Sequence, residues 1–193
     1  MTPRTDSAAA LRQDLRQDLL LALFLVVLCV GMRLLPHVSN FSSVAATALF
    51  AGMMLSRRWL AIAVPLAAML LSDVFLEGYG WRMMAVVYAA LVLPAVIGML
   101  ARGQRVWPVA ISGALASSLI FYAMTNFAVW ALTGLYSTDA KGLLECYVAA
   151  LPFLKHTVAG DLFWSVALFG GAFLLRRWQE RNREQPATLV SQV

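Results

Sequence analysis

Charge is what this chain has least of. Asp, Glu, Lys and Arg make up 13% of its 193 residues, about half the share usual in soluble domains. Too few ionic groups are present to clothe a water-exposed globule, so a free soluble domain is excluded. Cysteine is nearly missing as well: Cys29 and Cys146 lie at unrelated depths, form no CxxC pair and build no disulfide framework. The chain has no GxxxxGK[ST] loop to cradle a nucleotide phosphate, no HExxH metal pair and no GxSxG elbow. Nor does Val158-Ala159-Gly160-Asp161 carry the extra glycine of intramembrane aspartyl proteases, and no Tyr-Asp dipeptide precedes it. No complete catalytic motif remains, and the chain reads as a non-enzyme.

What fills the space is apolar. Hydrophobic residues are 61% of the chain and the mean hydropathy is +0.75, which points to an all-α polytopic membrane protein whose solvent is the lipid bilayer. Apolar runs approaching the roughly 20 residues of a span occur at 19–35, 41–55, 59–76, 83–101, 106–132 and 157–175. The expected architecture is therefore six transmembrane helices. Segment 139–153 is too short to span and ends near Pro152, so an additional short interfacial helix is expected before the last span. The second run is short and rich in alanine, with Gly52, which suits burial at close approach to neighbours.

Three regions follow: a cytoplasmic N-terminal extension (1–18), a six-helix substrate-binding domain (19–177) and a polar cytoplasmic tail (178–193), expected to be disordered. In the extension, Leu11-Arg12-Gln13-Asp14-Leu15-Arg16-Gln17-Asp18 repeats a tetrad whose charges pair at i,i+3 and i,i+4, as on a solvated helix. The net charge of +5 comes from basic residues at the ends of apolar runs, so nucleic acid is not an expected partner. Eleven of the fifteen Lys and Arg residues lie at the termini and in the second and fourth connections; only Arg33, Arg82, Lys141 and Lys155 lie on the other side. The positive-inside rule then places both termini in the cytoplasm.

The residues that lipid solvation would not select are Asn40, Asp73, Asn126 and Asp161. A carboxylate at mid-bilayer costs about 2.5–3.5 kcal/mol on insertion scales, and such acids mark functional sites. Counting along the runs at about 1.5 Å per residue brings all four to the extracytoplasmic half. The aromatics Tyr79, Tyr88, Trp130 and Tyr147 fall on the same side, although Trp130 and Trp81 also suit an interfacial belt. A pocket open to the outside is expected from these eight residues. Structural pairing of Asp73 with Arg82, and of Asp161 with Lys155, stands as the alternative.

Asn40-Phe41-Ser42-Ser43-Val44, Ala48-Leu49-Phe50-Ala51-Gly52, Leu71-Ser72-Asp73, Thr125-Asn126-Phe127-Ala128-Val129-Trp130, Cys146-Tyr147, Pro152-Phe153 and Gly160-Asp161-Leu162 together resemble a family of small bacterial inner-membrane proteins classed with transporters. These are similar in turn to the substrate-binding S-components of energy-coupling-factor vitamin transporters, including the solitary cobalamin-uptake members. The resemblance covers about 33–170. It implies a membrane protein that captures a small organic micronutrient, with an energising ATPase module as partner or working alone. The family has proline and glycine where this chain has Ser43 and Ala45, and the Ala-x-x-x-Ala docking motif of the first helix is missing here. No resident cofactor is implied. Were the transported ligand a corrinoid, Cys146, His37 and His156 would be the candidate cobalt ligands. Two other classes stay open: a membrane hydrolase or transferase using Asp73 and Asp161 as an acid/base pair, and a non-catalytic assembly subunit.

Overall fold

Each apolar run becomes a helix. The computed structural model describes residues 3–36, 40–76 and 80–190, and among these it is all-helical: α1 (Pro3–Leu34), α2 (Val44–Met54), α3 (Arg58–Asp73), α4 (Trp81–Leu100), α5 (Val106–Leu132) and α6 (Ala140–Val190). Four stretches are long and apolar enough to cross a membrane: Leu11–Leu34, Trp81–Leu100, Val106–Leu132 and Ala140–Asn182. α2, with 11 residues, and α3, with 16, are shorter.

α2 is the hub. It packs on all five other helices, and Val44 through Gly52 are buried without a break, so it has no lipid face and needs no amphipathic stripe. Its closest neighbour is α4. A Cβ on Gly52 would collide with the carbonyl oxygen of Ala95, and one on Gly98 with that of Leu49. Only hydrogen fits at either place, so the two backbones are in contact where the glycines meet. Pro65 and Pro94 sit inside α3 and α4, as proline does in membrane helices whose freed carbonyls find other partners.

Three sequence expectations are corrected here. There is no separate interfacial helix before the last span: α6 runs through Pro152 as one helix of 51 residues, about 75 Å at ~1.5 Å per residue. The reason is packing. α5 lies along α6: before the proline the Tyr122 hydroxyl donates to the Tyr147 carbonyl at 2.6 Å and the Tyr147 hydroxyl to the Ala123 carbonyl at 2.7 Å, and after it the Ser118 hydroxyl of α5 donates to Asp161 at 2.6 Å, so the helix is held on both sides of the proline. The tail beyond Trp178 is also helical, as far as Val190.

The third correction concerns Asp18, the last residue of the repeated tetrad, which is buried rather than solvated. Its two carboxylate oxygens accept the backbone N–H groups of Ser56 (3.2 Å) and Arg57 (3.1 Å), donors that the start of α3 leaves without helical partners. On the same turn, the Arg102 guanidinium donates to the carbonyls of Gly52 (2.8 Å), Leu55 (2.7 Å) and Ser56 (3.3 Å). One anion and one cation thus satisfy the break between α2 and α3.

Candidate functional site

The opposite end of the bundle holds the other polar cluster. At the C-terminal end of α1, Arg33 reaches α3, where Nη2 meets Asp73 Oδ1 at 2.6 Å and Nη1 meets the Met69 sulfur at 2.6 Å. From α4 the Tyr88 hydroxyl donates to Asp73 Oδ2 at 2.8 Å. Asp73 therefore has a donor on each oxygen and a cation beside it. Its partner is Arg33, not the expected Arg82, whose guanidinium stacks instead over Trp81 at 5.4 Å. An arginine in the last turn of α1 can enter the bundle at this depth, whereas Arg82, in the first turn of α4, is exposed.

Asp161 has different surroundings. It is 2% exposed, yet its single hydrogen-bond partner among the described residues is the Ser118 hydroxyl, which donates to Oδ2 at 2.6 Å. That hydroxyl also lies 3.1 Å from the Ala114 carbonyl; having one proton, it serves the carboxylate, the stronger acceptor. No cation pairs with Asp161 among the described residues, Lys155 included. Gly160 lets α6 approach this closely, because a Cβ there would lie 3.1 Å from the Phe41 Cα.

A cavity of about 230 Å3 opens beside Asp161. All six helices or their adjoining turns contribute to its wall: Arg33 from α1, Asn40 and Ser42 before α2, Ala45, Met69 of α3, Val87 and Leu91 of α4, Phe121 of α5, and Thr157 and Asp161 of α6. A second cavity of about 210 Å3 adjoins it, lined chiefly by α4, α5 and α6 and including Asn126. Asn40, Val87, Phe121 and Thr157 belong to both walls. Asn40 holds a left-handed backbone (φ 64°), a conformation that asparagine tolerates better than most residues and that often accompanies a functional constraint.

Of the residues expected at a pocket, Asn40 and Asp161 line the first cavity and Asn40 and Asn126 the second. Asp73 and Tyr88 stand behind the wall, joined through Arg33. Trp130 and Tyr147 line neither cavity. The Trp130 indole N–H donates to the Ser137 carbonyl at 2.9 Å and so clasps the turn before α6. The same turn is capped by Asp139, whose carboxyl accepts the Gly142 N–H (2.8 Å) and the Ser137 hydroxyl (2.7 Å) and is thereby held below the ordinary carboxylate value. Tyr79 and His37 lie outside the described residues. Cys146 is buried, its thiol donating to the Asn126 backbone carbonyl at 3.4 Å, and the buried Nδ1 of His156 has no hydrogen-bond partner among the described residues. Among the described residues no three His, Cys, Asp or Glu side chains gather as a metal site would require.

Sequence reasoning did not single out Arg33, Ser118, Phe121 or Thr157. Arg33 was readable in principle, since it ends the first run at the level where Asp73 ends the third. Phe121 and Thr157 carry no signal beyond helical position.

Residues 13–185 match DUF6580, a family of unknown function, and the chain belongs to it. No curated protein and no solved structure shows a significant match.

Proposed function

We propose that this protein is a membrane-embedded solute-binding protein that takes up a small organic micronutrient through a cavity reached from the extracytoplasmic side. The observation that carries the reading is the wall built by all six helices around a buried carboxylate with one hydrogen-bond partner. A mere helix lock would bring its acid a full set of donors, as Arg33 and Tyr88 do for Asp73. Convergent polar groups in an otherwise apolar hollow are what solute capture requires.

In this reading all six helices traverse the inner membrane, with α2 short because its neighbours, not lipid, cover it, and α3 meeting lipid through Trp59, Leu70 and Leu71. Both termini are cytoplasmic, following the distribution of basic residues. The likeness to energy-coupling-factor S-components supports the same picture. Uptake then proceeds with a separate ATPase module or by facilitated diffusion, since the chain has no phosphate-binding loop. Either cavity is far smaller than a corrinoid macrocycle, which favours a smaller solute over cobalamin. Paired-acid catalysis is disfavoured because Asp73 is already occupied by Arg33 and Tyr88.

Native mass spectrometry of the protein released from nanodiscs tests this. The wild type should retain a small molecule, and Phe121→Trp, which fills the shared wall of both cavities, should lose it while remaining a folded monomer. An adduct-free wild type, or an adduct unaffected by Phe121→Trp, would overturn the assignment.

A further inference from the structure

One acid beside the first cavity has no counter-charge among the described residues. Arg33 and Asp73 neutralise each other at 2.6 Å, whereas Asp161 is buried in the wall with one oxygen on Ser118 and no donor on the other among the described residues. A desolvated carboxylate in that state is strongly unfavourable unless a cation or further donors reach it. Lipid cannot supply them, and neither do the described residues. The cavity itself can.

Resting on the solute-binding reading above, we propose that the ligand is a small organic monocation, a primary ammonium with an apolar body, whose N–H groups complete Asp161. An ammonium brings three donors and no acceptor. One N–H answers the free oxygen of Asp161. Asn40, Ser42 and Thr157, which share the cavity wall, offer neutral oxygens for the others. The apolar body meets Met69, Leu91 and Phe121, and an aromatic ring opposite Phe121 adds edge or face contact. An anion would find its natural partner, Arg33, already engaged by Asp73. At about 230 Å3, the space is below the ~300–1,000 Å3 of drug-sized pockets, so the ligand is no larger than a simple aralkylamine.

The test is calorimetric titration of the full chain in nanodiscs with benzylammonium and with benzyl alcohol, its neutral near-isostere, at ~0.15 M NaCl, an ionic strength that screens surface charge. Benzylammonium should bind saturably, at least tenfold more tightly than benzyl alcohol, and Asp161→Asn should lower its affinity at least tenfold and so narrow the gap between the two compounds. Equal binding of the two compounds to the wild type would overturn the cation assignment and leave the solute site standing. That comparison holds even where Asp161→Asn does not fold. No saturable benzylammonium binding, or binding undiminished in Asp161→Asn, also overturns it. Failure of the solute-binding reading itself shows separately, as an adduct-free wild type in the mass spectrum.

Discussion

Asp73 and Asp161 have the same side chain and opposite surroundings, and that contrast separates scaffold from site. Asp73 belongs to a three-helix tie with Arg33 and Tyr88, so removing either charge strands the other. We expect Asp73→Asn and Arg33→Gln each to destabilise the protein by about 1–3 kcal/mol, with the double variant less impaired than the sum, a positive coupling of about 0.5–3 kcal/mol. Thermal unfolding of the four proteins in one nanodisc preparation measures that cycle. Additive losses would mean that the pair does not form. Asp139, outside the membrane-spanning stretch, gives a pH prediction. Its carboxyl is held below the usual 3.8, first by the Gly142 N–H and then by the Ser137 hydroxyl. The cap is therefore complete above the ordinary carboxylate value and is lost as pH falls through the depressed one. Amide exchange at Gly142 should stay protected from pH 7 down to about 4 and rise below it, and Asp139→Asn should abolish that pH dependence.

At the scale of elements, α2 decides how the bundle closes. It is held to α4 by Gly52 and Gly98, where any Cβ meets backbone rather than a side chain that can turn aside. Gly98→Ala should therefore force the helices apart and destabilise by on the order of 1–3 kcal/mol, whereas Gly31→Ala, with open space around it, should be neutral or slightly stabilising. A melting-temperature comparison of the two variants checks this, and equal effects would refute the close approach. Just past the C-terminal end of α2, Asp18→Ala removes the acceptor for two N–H groups and should weaken the α2–α3 turn by about 1–3 kcal/mol, read as faster amide exchange at Ser56 and Arg57. The six helices were readable from run length alone, and so was the burial of α2, because its small residues have no reason to face lipid. The continuity of α6 was not. Pro152 signals a break, and only the contacts that hold α6 to α5 before it, at Tyr147, and after it, at Asp161, explain why none occurs. Asp18 misled for a similar reason: its i,i+3 and i,i+4 charges look solvated until the α2–α3 turn is brought against it.

For the molecule as a whole, the two ends of the bundle have different characters. One end is closed by the Asp18 and Arg102 contacts on the α2–α3 turn, with Phe50 and Phe169 edge to face at 5.0 Å deeper in. The other end holds the cavities and Asp161. The gathering of Asn40, Asn126 and Asp161 there could be read from where the runs begin and how they alternate across a membrane. Which partner each residue takes could not, because a helix's rotation about its axis decides whether Arg33 or Arg82 faces Asp73. In the proposed orientation the cavity is reached from the extracytoplasmic side. The most direct test of that orientation is side-specific labelling of Ser42→Cys, in a Cys29→Ala, Cys146→Ala background, by a membrane-impermeant maleimide in right-side-out and inverted vesicles, with Ser56→Cys as the reference for the opposite end. Ser42→Cys should react only in right-side-out vesicles and Ser56→Cys only in inverted ones; labelling of Ser42→Cys from the cytoplasmic face alone would contradict that orientation.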